Sequence, residues 1–187
     1  MGTGTPAISI ACAKEIAGAK VLATDISDEA LSLARENAQA NGLNEELTFA
    51  QGDLLDAVTG DIVAKIVGAS AGSAGSPTLS ATLPKISCLI ANLPYIPDGE
   101  KGKLQPEVDK FDPALALYGG PDGLDLVRKL LNQTEGKLST GAPVLLEIGS
   151  EQAEVLKNEA GNYSWLEFEG IHKDYCGNIR FVSYKAK

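Results

Sequence analysis

The sequence predicts an α/β protein built on a mostly parallel sheet covered on both faces. Three observations predict it: helix-like and strand-like segments alternate along the chain, the strand-like segments are short and largely apolar, and their ends carry polar or glycine turn residues. Residues 6 to 18, PAISIACAKEIAG, read as a helix opened by Pro6, which a first turn tolerates, and closed at Gly18. Residues 20 to 25, KVLATD, form a short buried strand. Ser27 caps the next helix, Asp28 and Glu29 suit its positive end, Ala30, Leu31, Ala34 and Ala38 make its inner face, and Gly42 ends it. Residues 46 to 53, ELTFAQGD, are a third element, read as a strand. Residues 68 to 84 hold mainly small residues, Ser, Thr and Pro, and read as a flexible insertion. The next strand is ISCLIAN (86 to 92), followed by a long loop to Gly120, a helix over about 122 to 138, a buried strand at 142 to 149 and a helix at 151 to 159. The closing segments SWLEFEG and NIRFVSY alternate well enough to pair as antiparallel strands.

At 187 residues the chain suits one domain, residues 1 to 187, able to bury roughly 70% of the surface its unfolded form exposes. No apolar run approaches the ~20 residues of a membrane span, and no secretory signal opens the chain. Cys12, Cys88 and Cys176 are far apart and form no C-x-x-C pair, so neither a disulfide framework nor a zinc site is indicated, and a reducing cytoplasm is expected. The single histidine, His172, suits a loop or surface role better than a metal site or triad. Sixteen basic against twenty-five acidic residues give a net charge of −9, which repels phosphate backbones. Lys101, Lys103 and Lys110 are interleaved with Glu100, Glu107, Asp109 and Asp112, a solvated loop and not a basic patch. Neither a membrane nor a direct nucleic-acid partner is expected, and the chain is expected to be a monomer.

In an open parallel sheet, ligands bind beyond the carboxyl ends of the strands. Gly2-Thr3-Gly4 precedes the first helix, where glycine lets backbone approach a ligand and a helix start offers unpaired N–H groups. Asp25 ends the following strand at a distance from Gly4 that suits an acid accepting hydrogen bonds from ribose hydroxyls, although it can equally cap a helix. Asp53 ends the next strand and could accept from an adenine amino group, or simply sit in a turn. Asn92-Leu93-Pro94-Tyr95 is more specific. An amide nitrogen is a poor nucleophile because its lone pair is delocalised; a site that accepts hydrogen bonds from both its hydrogens fixes its orientation and aims the lone pair at an electrophilic methyl. The Asn92 side-chain oxygen and the Leu93 carbonyl can be those acceptors, Pro94 holds Leu93 extended, and Tyr95 can pack on a planar substrate. The competing reading is a strand ending in a proline turn.

Together these features resemble a class I S-adenosylmethionine-dependent methyltransferase, a Rossmann-like three-layer fold with a mostly parallel sheet and an antiparallel C-terminal strand. The glycine loop, ribose-binding acid and N-P-P-Y motif of that superfamily fall on Gly2 to Gly4, Asp25 and Asn92 to Tyr95. N-P-P-Y is shared by enzymes acting on glutamine side chains, DNA bases and ribosomal RNA guanine, and the form N-L-P-Y is commoner in ribosomal RNA adenine dimethyltransferases. Two downstream stretches narrow the choice: DPALALYGGPDGLDLVRKLL (112 to 131) and VLLEIGSEQ (144 to 152), followed by KDYCGNIRFV (173 to 182), closely resemble the release-factor glutamine methyltransferases. That family modifies the glutamine of the Gly-Gly-Gln tip of peptide-chain release factors. The resemblance implies S-adenosylmethionine as cofactor, a release factor as protein substrate and no metal. It implies a cofactor set of Gly2, Thr3, Gly4, Asp25, Ile26, Asp53, Leu54 and Asn92, and a catalytic and substrate-binding set of Asn92, Leu93, Pro94 and Tyr95. Gly119 and Gly120 are expected in a loop that closes the site.

The sequence departs from the family at Leu93, where proline is usual, and at Pro6, where a small residue is usual. Leucine keeps the carbonyl but loosens the backbone, so weakened pre-organisation is expected and not lost chemistry. The apolar strand that precedes the family's glycine loop and the family's N-terminal helical domain have no counterpart in these residues. A truncated chain with impaired activity is therefore the expectation, its two strands beside the missing one each left with an unpaired edge. The alternatives are a methyltransferase acting on an amino nitrogen of ribosomal RNA or DNA, which the acidic charge and the GGPDGLDL stretch disfavour, and a non-catalytic remnant.

Overall fold

Pro6 opens the first helix, α1 (Ala7–Glu15), in the computed structural model, its carbonyl accepting the Ile10 N–H at 2.9 Å and the Ser9 hydroxyl at 3.0 Å. The structure describes residues 2, 6–67, 84–105, 107 and 113–187. They fall into two compact units, residues 1–84 and 85–187. The expected insertion at 68 to 84 lies, apart from Pro84, outside the described residues, as do Thr3 and Gly4.

In the first unit, β1 (Val21–Asp25) pairs in parallel with β2 (Leu47–Gln51), with Asp25 opposite Gln51 at their carboxyl ends. The connecting helix α2 (Asp28–Ala40) is capped as its sequence requires: the Ser27 hydroxyl accepts the Ala30 N–H at 3.1 Å, and Asp28 and Glu29 sit in the first turn. Leu31, Ala34 and Ala38 are buried on its inner face, and Ala38 joins Leu43, Leu47, Ile10, Ala13, Val21 and Phe49 in a core cluster. The strand expected over 46 to 53 is shorter, because Leu54–Ala57 turns into a 3₁₀ helix after Asp53. A helix that the sequence reading did not assign follows, α3 (Gly60–Val67). Thr59 caps it, its carbonyl accepting the Val63 N–H at 3.0 Å and its hydroxyl 3.4 Å from the Ile62 nitrogen.

The second unit is a sheet in the order β3-β4-β6-β5, from β3 (Leu89–Asn92), β4 (Pro143–Glu147), β5 (Leu166–Lys173) and β6 (Ile179–Ala186). β3 and β4 are parallel, while β6 runs antiparallel to both β4 and β5, as the alternation of the last two segments predicts. Among the described strands, β1 and β3 each have a single neighbour. The helices are α4 (Ala114–Leu117), α5 (Asp125–Gln133) and α6 (Ala153–Glu159). Val127, Leu130, Leu131, Val144, Leu146, Leu156, Val182 and Tyr184 are almost fully buried and form the core. Helix α5 is shorter than the expected 122 to 138. Its start is delayed because the Asp122 carboxylate accepts the Leu124 N–H at 3.1 Å, an Asx turn, and its end is set by Gly136 at φ +71°. His172 is exposed on β5, its Nε2 2.8 Å from the Ser183 hydroxyl. Among the described residues, no helix is long and apolar enough to cross a membrane.

Candidate active site

Asn92 is the last residue of β3, exposed at its carboxyl end, opposite Glu147 on the parallel neighbour β4. Paired residues of adjacent parallel strands stand on the same face about 5 Å apart, so the Asn92 amide and the Glu147 carboxylate share one strand end. Leu93 is buried, and Pro94 and Tyr95 are half-buried. Three backbone hydrogen bonds pin the residues that follow this segment to 117–120, and a fourth closes the turn within 119–125. Ile96 N–H donates to Leu117 at 3.0 Å, Gly119 N–H to Ile96 at 3.0 Å, Asp98 N–H to Gly120 at 2.9 Å, and Asp125 N–H to Gly119 at 2.9 Å. The glycines of this stretch leave no room for a side chain. A Cβ on Gly119 would meet the Pro94 carbonyl oxygen and lie 2.6 Å from that of Gly123; one on Gly123, at φ +77°, would meet the Tyr95 carbonyl oxygen. Gly123→Ala is expected to lose about 2 kcal/mol from the left-handed backbone and the overpacked contact. Gly161→Ala, where nothing lies within 4 Å and φ is ordinary, should change urea stability by less than about 0.5 kcal/mol.

Gln152 locks the same loops from below. Its buried side chain donates both amide hydrogens to backbone carbonyls, of Tyr95 at 2.8 Å and Asp122 at 2.9 Å, and accepts the Gly149 N–H at 2.8 Å. Asp122 is held in turn by Arg128, whose guanidinium forks onto it at 2.7 and 3.0 Å and onto Glu159 at 2.7 and 2.9 Å. The Arg128 contacts keep the Asp122 carboxyl below the usual range and the guanidinium firmly protonated. At the ring end of Tyr95, Arg180 on β6 donates to the phenolic oxygen at 3.2 Å.

Asp25, Ile26, Asp53 and Leu54 lie together in the first unit, beyond the carboxyl ends of β1 and β2. One Asp25 carboxylate oxygen accepts the Ser27 N–H at 3.0 Å, and the Asp25 carbonyl accepts the Gly52 N–H at 3.0 Å. Ile26 is 54% exposed, and Leu54 holds φ +57°, a left-handed conformation costly for a branched residue and typical of binding sites. Gly2 is exposed at φ +62°.

The sequence profile of a family described as "Methyltransferase domain" matches residues 1–69. The chain is 37% identical over 187 residues to the release factor glutamine methyltransferase of Moorella thermoacetica, covering 100% of this chain and 58% of that protein. It is 35% identical over 182 residues to the enzyme of the same name from Deinococcus radiodurans, covering 97% and 55%. Over its full length the chain is similar to the release factor glutamine methyltransferases. It spans little more than half the length of these relatives. Its fold is the Rossmann-like methyltransferase fold, as in the crystal structure of a ribosomal protein L11 methylase from Lactobacillus delbrueckii subsp. bulgaricus, with a TM-score of 0.63 at 19% identity over 100% of this chain and 67% of that one.

The sequence reading named Asn92 to Tyr95 but missed Gln152 and Arg180, which hold Tyr95, and Glu147, which stands opposite Asn92. Glu147 carries a chemical signature of a site. Half-burial pushes its carboxyl above the ordinary value of 4.5, against the opposing pull of Arg180. With the folded-state pKa raised, the stability due to this group is fully present below the unfolded value and is lost as pH rises through the folded one. Glu147→Gln should therefore melt above the wild type at pH 7, with the difference vanishing in acid. A variant melting below the wild type at pH 7 would contradict this.

Proposed function

We propose that this chain transfers a methyl group from S-adenosylmethionine to the side-chain amide nitrogen of the glutamine in the Gly-Gly-Gln tip of a peptide-chain release factor. In this reading residues 1–187 work as one catalytic domain, in the cytoplasm and as a monomer. The carrying observation is the Asn92-Leu93-Pro94-Tyr95 segment at the end of β3, with the Tyr95 carbonyl held by Gln152 and the residues just after it pinned by backbone hydrogen bonds, in a chain whose relatives are release factor glutamine methyltransferases. The Asn92 side-chain oxygen and the Leu93 carbonyl accept the two amide hydrogens, which orients the nitrogen lone pair, and the Tyr95 ring packs on the amide plane.

The residues at the ends of β1 and β2 suit the cofactor. Asp25 supplies a carboxylate for ribose hydroxyls, Asp53 an acceptor for an adenine amino group, and exposed Ile26 apolar surface for the base, with Leu54, buried beneath, shaping the turn beside it. Gly2, Thr3 and Gly4 shape the methionine end. The bound cofactor supplies an electrophilic sulfonium methyl; positioning and electrostatics are the protein's share. Asp25→Ala should weaken S-adenosylmethionine binding by about tenfold, the worth of one charged hydrogen bond, as read by titration calorimetry.

Incubation with methyl-labelled S-adenosylmethionine and either a purified release factor or ribosomal RNA tests the reading. Label on the release factor is expected. Label on RNA alone would replace it with nucleic-acid methylation.

A further inference from the structure

Tyr95 is held at its main-chain carbonyl and at its phenolic oxygen, and both clamps come from the C-terminal half of the second unit. Its carbonyl accepts from Gln152 at 2.8 Å, and its phenolic oxygen accepts from Arg180 Nη1 at 3.2 Å, a contact between residues 85 apart in the chain. A tyrosine ring anchored only at its Cβ can swing between χ1 rotamers, and a donor on the phenolic oxygen, at the far end of the ring's long axis, fixes where that axis points. Arg180 is itself braced. Its Nε lies 3.8 Å from an Asp174 carboxylate oxygen, in a pair about one third exposed on the arginine side and one quarter on the aspartate side.

Asp174 in turn is built into the β5–β6 hairpin tip. One carboxylate oxygen accepts the N–H groups of both Cys176 and Asn178 at 2.9 Å, and the backbone closes with Asp174 N–H to Asn178 at 2.8 Å and Gly177 N–H to Asp174 at 3.0 Å. These N–H groups hold the Asp174 carboxyl below its usual range, so it stays charged. The hairpin therefore does more than close a sheet edge. It delivers a guanidinium in fixed orientation to a ring in the loop after β3.

We infer that Arg180, braced by Asp174, is a positioning residue that fixes the axis of the Tyr95 ring and so the place where the ring meets the substrate amide. This rests on the amide-binding reading of Asn92 to Tyr95. Because Arg180 occupies the phenolic oxygen as acceptor, the phenolic hydrogen points away from it. Arg180 acts through Tyr95 and through no contact of its own with the amide.

A double-mutant cycle on the full 187-residue chain tests this by single-turnover methyl transfer to a release factor. Arg180→Met and Tyr95→Phe should each slow the step about tenfold, by removal of one charge-assisted hydrogen bond, with S-adenosylmethionine affinity unchanged. The double variant should be no slower than either single variant, and Arg180→Lys should recover part of the rate. Losses that multiply to about a hundredfold, or a wild-type rate in Arg180→Met, would overturn the inference. If the wild-type chain labels no release factor, the functional reading fails separately, and the positioning claim is read from the Tyr95 ring by NMR. Nuclear Overhauser contacts from the Tyr95 ring that change in Arg180→Met support it; ring contacts and shifts unaffected by Arg180→Met overturn it.

Discussion

Asn92→Ala is expected to slow methyl transfer by about a hundredfold or more, the usual cost of removing one hydrogen-bonding group aimed at the transition state. The effect should fall on kcat, because the nitrogen lone pair becomes available only as it leaves conjugation with its carbonyl, and the hydrogen bonds that hold the nitrogen in that geometry are stronger in the transition state than in the bound substrate. Asn92 is exposed, and its side chain makes no hydrogen bond to another described residue. Its removal should accordingly leave urea stability within about 0.5 kcal/mol of the wild type. Rapid-quench transfer rates beside an unfolding curve separate the two quantities. A variant within threefold of the wild-type rate would remove Asn92 from the chemistry.

Gln152→Leu is expected to cost about 3 kcal/mol or more in stability. Leucine fills a similar volume but strands two carbonyls and one N–H, each worth roughly 1–3 kcal/mol when buried and unpaired. The residue is only 7% exposed, so water reaches those groups poorly. The loss should be accompanied by slower methyl transfer, since the Tyr95 carbonyl that Gln152 holds follows directly on the amide-binding pair. Urea unfolding with an unchanged slope is the measurement, and a cost below about 1 kcal/mol would mean that the loops hold their positions without this side chain.

What could be read from the chain was what depends on neighbours in sequence. Ser27 with Asp28 and Glu29 announces a capped helix, and the cap forms as read. The alternation of the last two strands predicts antiparallel pairing because one face of each is buried, with Val182, Tyr184 and Ala186 on β6 and Leu166 on β5. Helix α3 was also legible: Thr59 followed by Ile62, Val63 and Ile66 is a cap before a helical apolar stripe. Helix α5 begins three residues late because Asp122 spends its carboxylate on Leu124 and Arg128, a competition that helix propensity does not weigh. The supporting side chains were out of reach for another reason. Gln152 meets Tyr95 across 57 residues and Arg180 across 85, so no local spacing marks them. Asn92 and Asp25 could be singled out because short apolar runs stop at them, and both do end strands, where ligands bind in this fold.

Whether the acceptor is the glutamine amide is tested most directly by mass spectrometry of a release factor treated with the chain and S-adenosylmethionine. The expected result is a single added methyl on the peptide that contains Gly-Gly-Gln, with fragment ions placing it on the glutamine side chain, and no addition with Asn92→Ala. A methyl on any other residue, or the same addition with Asn92→Ala, would contradict the assignment of Asn92 and Leu93 as the acceptors that aim a glutamine nitrogen.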